Sequence, residues 1–354
     1  MSSMNGLAAG LLRGSSRAYA AAALRHMERV RPDLLANGLP AGFGDPTSDT
    51  EVRILHVAES VAVDRPALLR HAVAWYAVAL HHRGVTADWL PANLDAIRAA
   101  LADELPVAAA AAVLPHVDAA RAGVERVPLE IPSYLSRSSP HGDLAGHFLL
   151  SILEGRGDDA IGLVRGALDR GVAVEAIHDH VIVPAQREAG RMWLMAEIPI
   201  ADEHYGSSIV DRTLWMLQER LPRPAASAPR VLTMGVGGNL HDFGVRLVAQ
   251  RLQLAGFAVH NLGSNMPAGD VEWLLQDRAF DLIAISATLT LQLGSLVTTI
   301  ARIRSGGPPR RVPILVGGEP FGVAEDLWSV VGADAGALDA AGAVAAARRL
   351  LRLV

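Results

Sequence analysis

The apolar run Arg230-Val-Leu-Thr-Met-Gly-Val236, followed closely by Asn239-Leu-His-Asp-Phe-Gly244, decides the fold of this chain. The run predicts a buried strand, and the helical spacing of apolar side chains in residues 245–254 predicts a helix after it. His241 would then lie at the carboxyl end of a strand, where open α/β sheets bind ligands.

The chemistry of this turn suits a metal ligand. A helix N-terminus disfavours a charged imidazolium, so the ring of His241 would keep a lone pair that a metal can use. Asn239 could accept a hydrogen bond from the other ring nitrogen and thereby fix the tautomer. A lone histidine in a loop is also typical of a solvated residue, so the rest of the chain has to decide between the two.

Strand and helix signals alternate through the last third of the chain. The predicted strands are residues 231–236, 258–262, 282–287, 312–316 and 335–338, and a helix over 341–353 closes the chain. This βα repeat predicts a doubly wound parallel sheet of the Rossmann or flavodoxin-like kind over residues 230–354. The glycines at 235, 237 and 238 lack the GxGxxG spacing of a dinucleotide site.

Two further loops follow predicted strands of this sheet. Ser286 and Thr288 place hydroxyl groups after one strand, and Gly317-Gly318 follows another. The two glycines lack side chains, which would let a bulky ligand approach the backbone. Because parallel strands end at one edge, we expect these loops beside that of His241.

The first two thirds of the chain are predicted to be helical. Residues 1–132 form an all-helical domain with patterns at 15–30, 50–61, 66–82, 89–105 and 106–124, and Asp64 before Pro66 suggests a cap. Residues 143–221 form a four-helix bundle with patterns at 144–153, 158–169, 174–195 and 201–221. Pro184 is expected to kink the third of these. A Pro-rich linker, 222–229, follows. The fold class is thus α plus α/β.

One helix of the first domain carries a polar and aromatic stripe. Its members share a face by their spacing of three and four residues: His71, Trp75, Val78 and His82. Arg70, Tyr76 and Arg83 lie nearby. The simpler interpretation is a core helix with histidines at its edges. The alternative is a pocket wall for a flat, acidic, conjugated ligand, since arginine pairs with carboxylates and aromatic rings stack.

Composition narrows the function. The 354 residues suggest two or three domains, and the net charge of −5 argues against direct nucleic-acid binding. No cysteine is present, which excludes disulfides, thiolate ligands and thioether-linked chromophores. No apolar run reaches the length of a membrane span and no signal-peptide pattern opens the chain, so we expect a cytoplasmic protein.

Together the three loops resemble the cobalamin-binding domain family, whose motif is Asp/Glu-x-His-x-x-Gly, then Ser-x-Leu/Val/Thr, then Gly-Gly. The matching residues are Asn239, His241, Gly244, Ser286, Thr288, Gly317 and Gly318. The resemblance implies that His241 is the lower ligand of cobalt and that the nucleotide tail enters a slot beside Ser286 and the glycine pair. Asp242 and Phe243 would belong to the same cofactor site.

The bundle resembles that of light-sensing, adenosylcobalamin-dependent repressors, which carry Trp-x9-Glu-His. Trp193, Glu203 and His204 match, and the resemblance implies that Trp193 and Glu203 contact the adenosyl group. The sequence departs from these families at Asn239, at Leu194, where those repressors have a histidine, and in the first domain. An unfamiliar helical domain before a cobalamin unit is similar to the photocobilins, which add biliverdin, here bound without a covalent link.

These resemblances predict a photoreceptor rather than an enzyme. Light would break the cobalt–carbon bond, shift the bundle and change a homo-oligomer, with water or His204 taking the upper site and a separate effector as a further partner. The alternative is a corrinoid carrier protein for methyl transfer, which shares the His241 motif and needs partner methyltransferases. A cobalamin storage or sensor protein is a third hypothesis.

Overall fold

The computed structural model describes residues 3–36, 38–40, 42–306 and 311–353. The outermost predicted domain limits, at residues 1 and 354, lie outside these ranges. The chain forms an all-helical part, a helical bundle and a five-stranded parallel sheet flanked by helices. The predicted fold class is confirmed.

Seven helices make up the all-helical part. They are α1 Ser3–Gly14, α2 Ser16–Val30, α3 Pro32–Leu35, α4 Pro46–Ala62, α5 Pro66–His81, α6 Trp89–Glu104 and α7 Val107–Val124. The predicted helical patterns begin at residue 15 and so do not include α1, whose glycines lower its intrinsic helix propensity. Packing overrides this preference: Ala8, Ala9 and Leu12 of α1 are fully buried.

The starts of α4 and α5 show how local sequence sets helix boundaries. The carboxylate of Asp45 accepts hydrogen bonds from the backbone N–H groups of Thr47 and Ser48, which caps α4. Pro66 begins α5 as predicted, but Arg65 precedes it as the capping residue. Asp64 adopts a left-handed backbone conformation with φ 54° and is not the predicted cap.

The bundle consists of α8 Gly142–Leu153, α9 Gly157–Asp169, α10 Val174–Ile177, a π-helical turn His178–Ile182, α11 Val183–Leu194 and α12 Ile200–Gln218. The third predicted helix is thus broken near Pro184, as expected. Proline has no N–H to donate, so the carbonyl four residues earlier loses its helical partner, and the wider π turn accommodates this loss.

The parallel sheet comprises β1 Arg230–Gly235, β2 Ala258–Asn261, β3 Leu282–Ser286, β4 Ile314–Gly317 and β5 Ala335–Ala337, in the order β2-β1-β3-β4-β5. The intervening and final helices are α13 Phe243–Leu254, α14 Ala268–Asp277, α15 Leu293–Gly306, α16 Glu319–Val323, α17 Leu327–Val330 and α18 Ala340–Leu350, and a 3-10 turn, Thr290–Gln292, precedes α15. The strand order reverses between β1 and β3, where such sheets form a ligand crevice.

The bundle packs on α13 through a buried polar contact. The ring Nε2 of His178 donates to Gln250 Oε1 at 2.9 Å, and Gln250 Nε2 donates to the carbonyl of Leu214 at 2.7 Å. Burial lowers the pKa of His178 to about 4, so the ring is neutral at pH 7. Arg251 adds an ion pair with both carboxylate oxygens of Asp179.

The all-helical part packs on the carboxyl edge of the sheet. Glu59 Oε2 accepts from the backbone N–H of Gly294 at 2.9 Å, and Glu59 Oε1 accepts from Arg13 Nε at 2.8 Å. Arg65 pairs with Asp326. Loops that follow β3 and β4 therefore contact the first domain directly.

One helix in the described part of the chain, Val107–Val124, is long and apolar enough to cross a membrane by length and composition. It belongs to the core of the all-helical part, where Val113 and Val117 are fully buried.

Candidate functional site

His241 lies in the loop between β1 and α13, as predicted. Its side chain is exposed, and within the described ranges its ring has no hydrogen-bond partner. Asn239 is fully buried below it. Asn239 Oδ1 accepts from the backbone N–H of His241 at 3.0 Å, and Asn239 Nδ2 donates to the carbonyl of Ser286 at 3.2 Å. The predicted bond from Asn239 to the ring is therefore replaced by one to the backbone, and Asn239 fixes the loop and leaves the ring free.

The edge of the sheet beside this loop carries a row of small residues. The strand register pairs Gly235 with Ser286, Ser286 with Gly317, and Gly317 with Ala337. Four neighbouring strands thus end in residues without bulk, and we expect a ligand channel along this row. The row crosses the reversal point between β1 and β3, where an extended ligand group can lie against the backbone.

Packing within the protein itself also requires glycine at positions 317 and 318. Gly318 has φ 121°, and a Cβ atom there would overlap the carbonyl of Ala287. A Cβ at Gly317 would lie 3.0 Å from the carbonyl oxygen of Ala337. The backbone N–H of Thr288 donates to Gln292 Oε1 at 2.7 Å, which holds the intervening loop. The glycine pair thus allows the strand ends to approach each other and shapes the channel.

Three exposed leucines lie in loops at this edge, and none of them is among the residues predicted from the sequence. Leu240, in the His241 loop, is 76% exposed, Leu289 after β3 is 39% exposed, and Leu338 after β5 is 65% exposed. Large apolar side chains in three loops at one sheet edge favour an apolar ligand face over water. Their signal in the sequence is a leucine at the end of a predicted strand or within four residues after it.

An arginine ties the His241 loop to the bundle. Arg246 Nε donates to Asp242 Oδ2 at 2.8 Å, lies 3.7 Å from Asp211 of α12, and its guanidinium stacks 5.4 Å from the centre of the Trp215 ring. Burial raises the pKa of Asp211, and the opposing charge of Arg246 partly offsets this. Asp242 therefore acts at the start of α13 and not on the ring of His241.

The remaining loop residues start α13. Phe243 begins the helix and packs against the bundle core, and Gly244 is exposed with open space around it. The loop and the bundle are thus one packed unit.

The bundle residues matched by spacing lie at the facing ends of α11 and α12. Glu203 is largely buried and accepts from Ser207 Oγ at 2.8 Å and from Gln186 Nε2 at 3.5 Å. His204 is exposed and lies 3.7 Å from the other oxygen of Glu203. Trp193 is half-buried at the end of α11.

The aromatic stripe on α5 contacts other domains of the protein. Trp75 lies against Trp193 with ring centroids 5.8 Å apart. His71 Nε2 is 2.9 Å from Glu319 Oε1, beside Gly318. Arg83 donates to the carbonyls of Trp193 and Leu194, both at 2.8 Å.

The other members of the predicted bilin set are placed differently. The His82 ring donates to the carbonyl of Leu129 at 2.9 Å, Tyr76 is buried in the helical core, and Arg70 is exposed. The stripe therefore forms an interface between domains, and a bilin site lined by some of these residues stays a prediction. Spacing alone shows that a helix face is covered, but not whether a ligand or another helix covers it.

Comparison with known proteins identifies the two carboxyl-terminal parts. Residues 144–218 and residues 229–348 each match a B12 binding domain. The chain is 36% identical over 138 residues to dimethylamine corrinoid protein 3 of Methanosarcina acetivorans, which covers 38% of this chain and 63% of that protein. It is 33% identical to dimethylamine corrinoid protein 3 of Methanosarcina mazei, also over 38% of this chain but over 81% of that protein.

The monomethylamine corrinoid protein of Methanosarcina barkeri has a similar fold, with a TM-score of 0.53 and 22% identity over 60% of this chain and 100% of the other. Fold, site and sequence define a cobalamin-binding protein. The chain belongs to the corrinoid protein family. Its cofactor is therefore a corrinoid with cobalt.

These relatives correct the predicted function. They are methylamine corrinoid proteins, so the prediction of a light-sensing photoreceptor is wrong. The sequence argument gave weight to Trp-x9-Glu-His, which lies in a domain that these carriers also have. In the structure Trp193 already packs on Trp75 and Arg83, so it does not depend on an adenosyl group for a partner.

Proposed function

We propose that this protein is a corrinoid carrier for methyl transfer, with His241 as the protein ligand to cobalt. The observation that carries the proposal is the exposed ring of His241, which has no hydrogen-bond partner among the described residues, beside the row of small residues at the sheet edge. A bound corrinoid supplies a cobalt centre that accepts a methyl group from one partner and releases it to another. The protein contributes the binding, the orientation and the shielding of that centre.

The residues at the sheet edge fit a corrinoid. His241 offers a ring nitrogen on a loop that Asn239 fixes through the backbone, which suits a lower ligand. The channel past Ser286 and Gly317 suits an extended nucleotide tail, and the exposed leucines suit the apolar face of a macrocycle. Asn239 bonds to the backbone of His241 and not to its ring, so we expect less support for the ligand than a carboxylate bonded to the ring would give.

We propose that the sheet domain and the bundle bind opposite faces of the corrinoid, as the sequence suggested. Residues 230–354 hold the corrinoid from below, and residues 143–221 cover its upper face with Trp193 and Glu203. Residues 1–132 lie outside both matched domains and form a separate helical domain. An adenosyl or methyl upper group, biliverdin as a second ligand, a homo-oligomer and a cytoplasmic location stay predictions.

A carrier of this kind needs separate enzymes that deliver and remove the methyl group. The relatives named for dimethylamine and monomethylamine make methylated amines the first donors to test. The test supplies the cobalamin-loaded, reduced protein with a carbon-13-labelled methylamine and a methylamine methyltransferase. NMR then follows the label.

We expect the label to reach the protein-bound cofactor in the wild type, and much more slowly in His241→Ala. His147→Ala is the matched control, because His147 is an exposed histidine on α8. Its transfer rate should equal that of the wild type. No transfer to the loaded wild type with any methylated amine or alcohol would reject the carrier function.

A further inference from the structure

One helix of the first domain contacts both walls of the candidate corrinoid site. At its amino end, His71 of α5 meets Glu319, the residue after the channel glycine Gly318. Further along the chain, Trp75 in the middle of α5 and Arg83, two residues after its end, contact Trp193. Between them, Val78 and other apolar residues of α5 pack on the residues that follow Trp193 in a small buried cluster.

The contact with Trp193 involves both its ring and its backbone. The guanidinium of Arg83 lies 5.3 Å from the centre of the Trp193 ring, on which Trp75 also packs. The same guanidinium donates to the last carbonyls of α11, those of Trp193 and Leu194. Carbonyls at a helix end lack helical partners, and a cation there interacts favourably with the helix dipole.

The turn that follows Trp193 needs such support. Ala196 takes a left-handed backbone conformation with φ 58°, which is unfavourable for a residue with a Cβ. Its N–H donates to the carbonyl of Trp193, so that carbonyl accepts both from the turn and from Arg83. Among the described residues, Arg83 is the one cation from outside the bundle that contacts the end of α11. Its removal would leave that end without such a contact.

We propose that Arg83 is a positioning residue for the corrinoid site, through which the first domain holds Trp193 as the wall over the upper face. The inference rests on the proposed corrinoid function. In this arrangement the first domain is part of the site: it limits how far the wall can open and therefore how readily a small ligand reaches the upper coordination position.

The test measures replacement of water by azide at the upper position of the hydroxocobalamin-loaded full chain, followed by absorbance. Arg83→Ala should speed this replacement about tenfold, which corresponds to ~1.4 kcal/mol of lost positioning. Arg83→Lys keeps the charge but not the paired N–H donors of the guanidinium, so its rate should lie between those of the wild type and Arg83→Ala. Arg25→Ala, which replaces an exposed arginine of α2 in the same domain, is the matched control and should behave as the wild type.

A double-mutant cycle distinguishes positioning of Trp193 by Arg83 from a general loosening of the structure. If Arg83 acts through Trp193, Arg83→Ala adds nothing in a Trp193→Ala background. An Arg83→Ala rate equal to that of the wild type, or an effect that persists in full without Trp193, overturns the inference. If Arg83→Ala does not fold, Trp75→Ala takes its place with the same expected and overturning results.

The same samples distinguish the proposed role of His241 as the cobalt ligand from the proposed role of Arg83. Electron paramagnetic resonance of the cobalt(II) form reports whether a protein histidine binds cobalt. A missing histidine signal in the wild type rejects the proposed ligand, whatever the azide rates are. A histidine signal that is present and unchanged in Arg83→Ala, together with faster azide binding, supports positioning at the upper face alone.

Discussion

Replacing Gly318 with alanine should destabilise the sheet domain strongly. With φ 121° and ψ 174°, Gly318 has a conformation that is nearly restricted to glycine, and a side chain there costs of order 1–3 kcal/mol. The added Cβ would also lie 2.7 Å from the carbonyl carbon of Ala287, so backbone must shift. Together these effects should lower the free energy of unfolding by about 3–4 kcal/mol.

Two neighbouring glycines provide a graded control. A Cβ at Gly317 would lie 3.0 Å from the Ala337 carbonyl oxygen, a tight contact that should cost about 1–2 kcal/mol. Gly322 of α16 has open space around it, and alanine there should change stability by less than about 0.5 kcal/mol. Urea unfolding of the full chain, followed by circular dichroism, should rank the midpoints Gly318→Ala, Gly317→Ala, Gly322→Ala from lowest to highest. Equal midpoints for the first and last variants would refute the reasoning.

Three further predictions concern polar contacts around the site. Asn239→Ala removes two hydrogen bonds of about 1 kcal/mol each, so calorimetry should show cobalamin binding weakened by up to about thirtyfold; unchanged affinity would mean that the loop is fixed otherwise. Arg246→Ala unties Asp242 from the bundle and should cost about 1 kcal/mol of stability in thermal unfolding, an effect that Asp211→Asn should reduce. His178 has a folded pKa of about 4 against 6.5, so the unfolded state protonates first and stability falls by up to ~3 kcal/mol as pH drops from 6.5 to 4; His178→Gln should flatten this fall, and an unchanged slope would contradict it.

The parallel sheet was predictable because its central strands, β1, β3 and β4, are mostly apolar runs that the fold buries. Residues 312–316 were predicted as a strand, and β4 is Ile314–Gly317. The placement of His241 at a strand end follows from the same alternation. What sequence could not give is the partner of each side chain: Asn239 bonds to the backbone of His241, because the loop turns its N–H inward and its ring outward.

The stripe on α5 likewise shows that the sequence does not reveal which part of the protein a side chain contacts. The spacing of His71, Trp75 and Val78 correctly indicates one covered helix face. The covering groups are Trp193 and Glu319, which lie more than a hundred residues away in the chain. Local sequence contains no information about that contact. For the same reason Arg83 was predicted as a carboxylate partner, whereas it donates to main-chain carbonyls.

The central claim is that His241 supplies a ring nitrogen to cobalt. The most direct measurement is electron paramagnetic resonance of the cobalt(II) form of the cobalamin-loaded protein, prepared once with ordinary histidine and once with nitrogen-15 histidine. The account predicts that the nitrogen splitting changes with the label in the wild type, and that no label-dependent splitting is seen in His241→Ala. A splitting that is insensitive to the label, or one that persists in His241→Ala, would contradict the account.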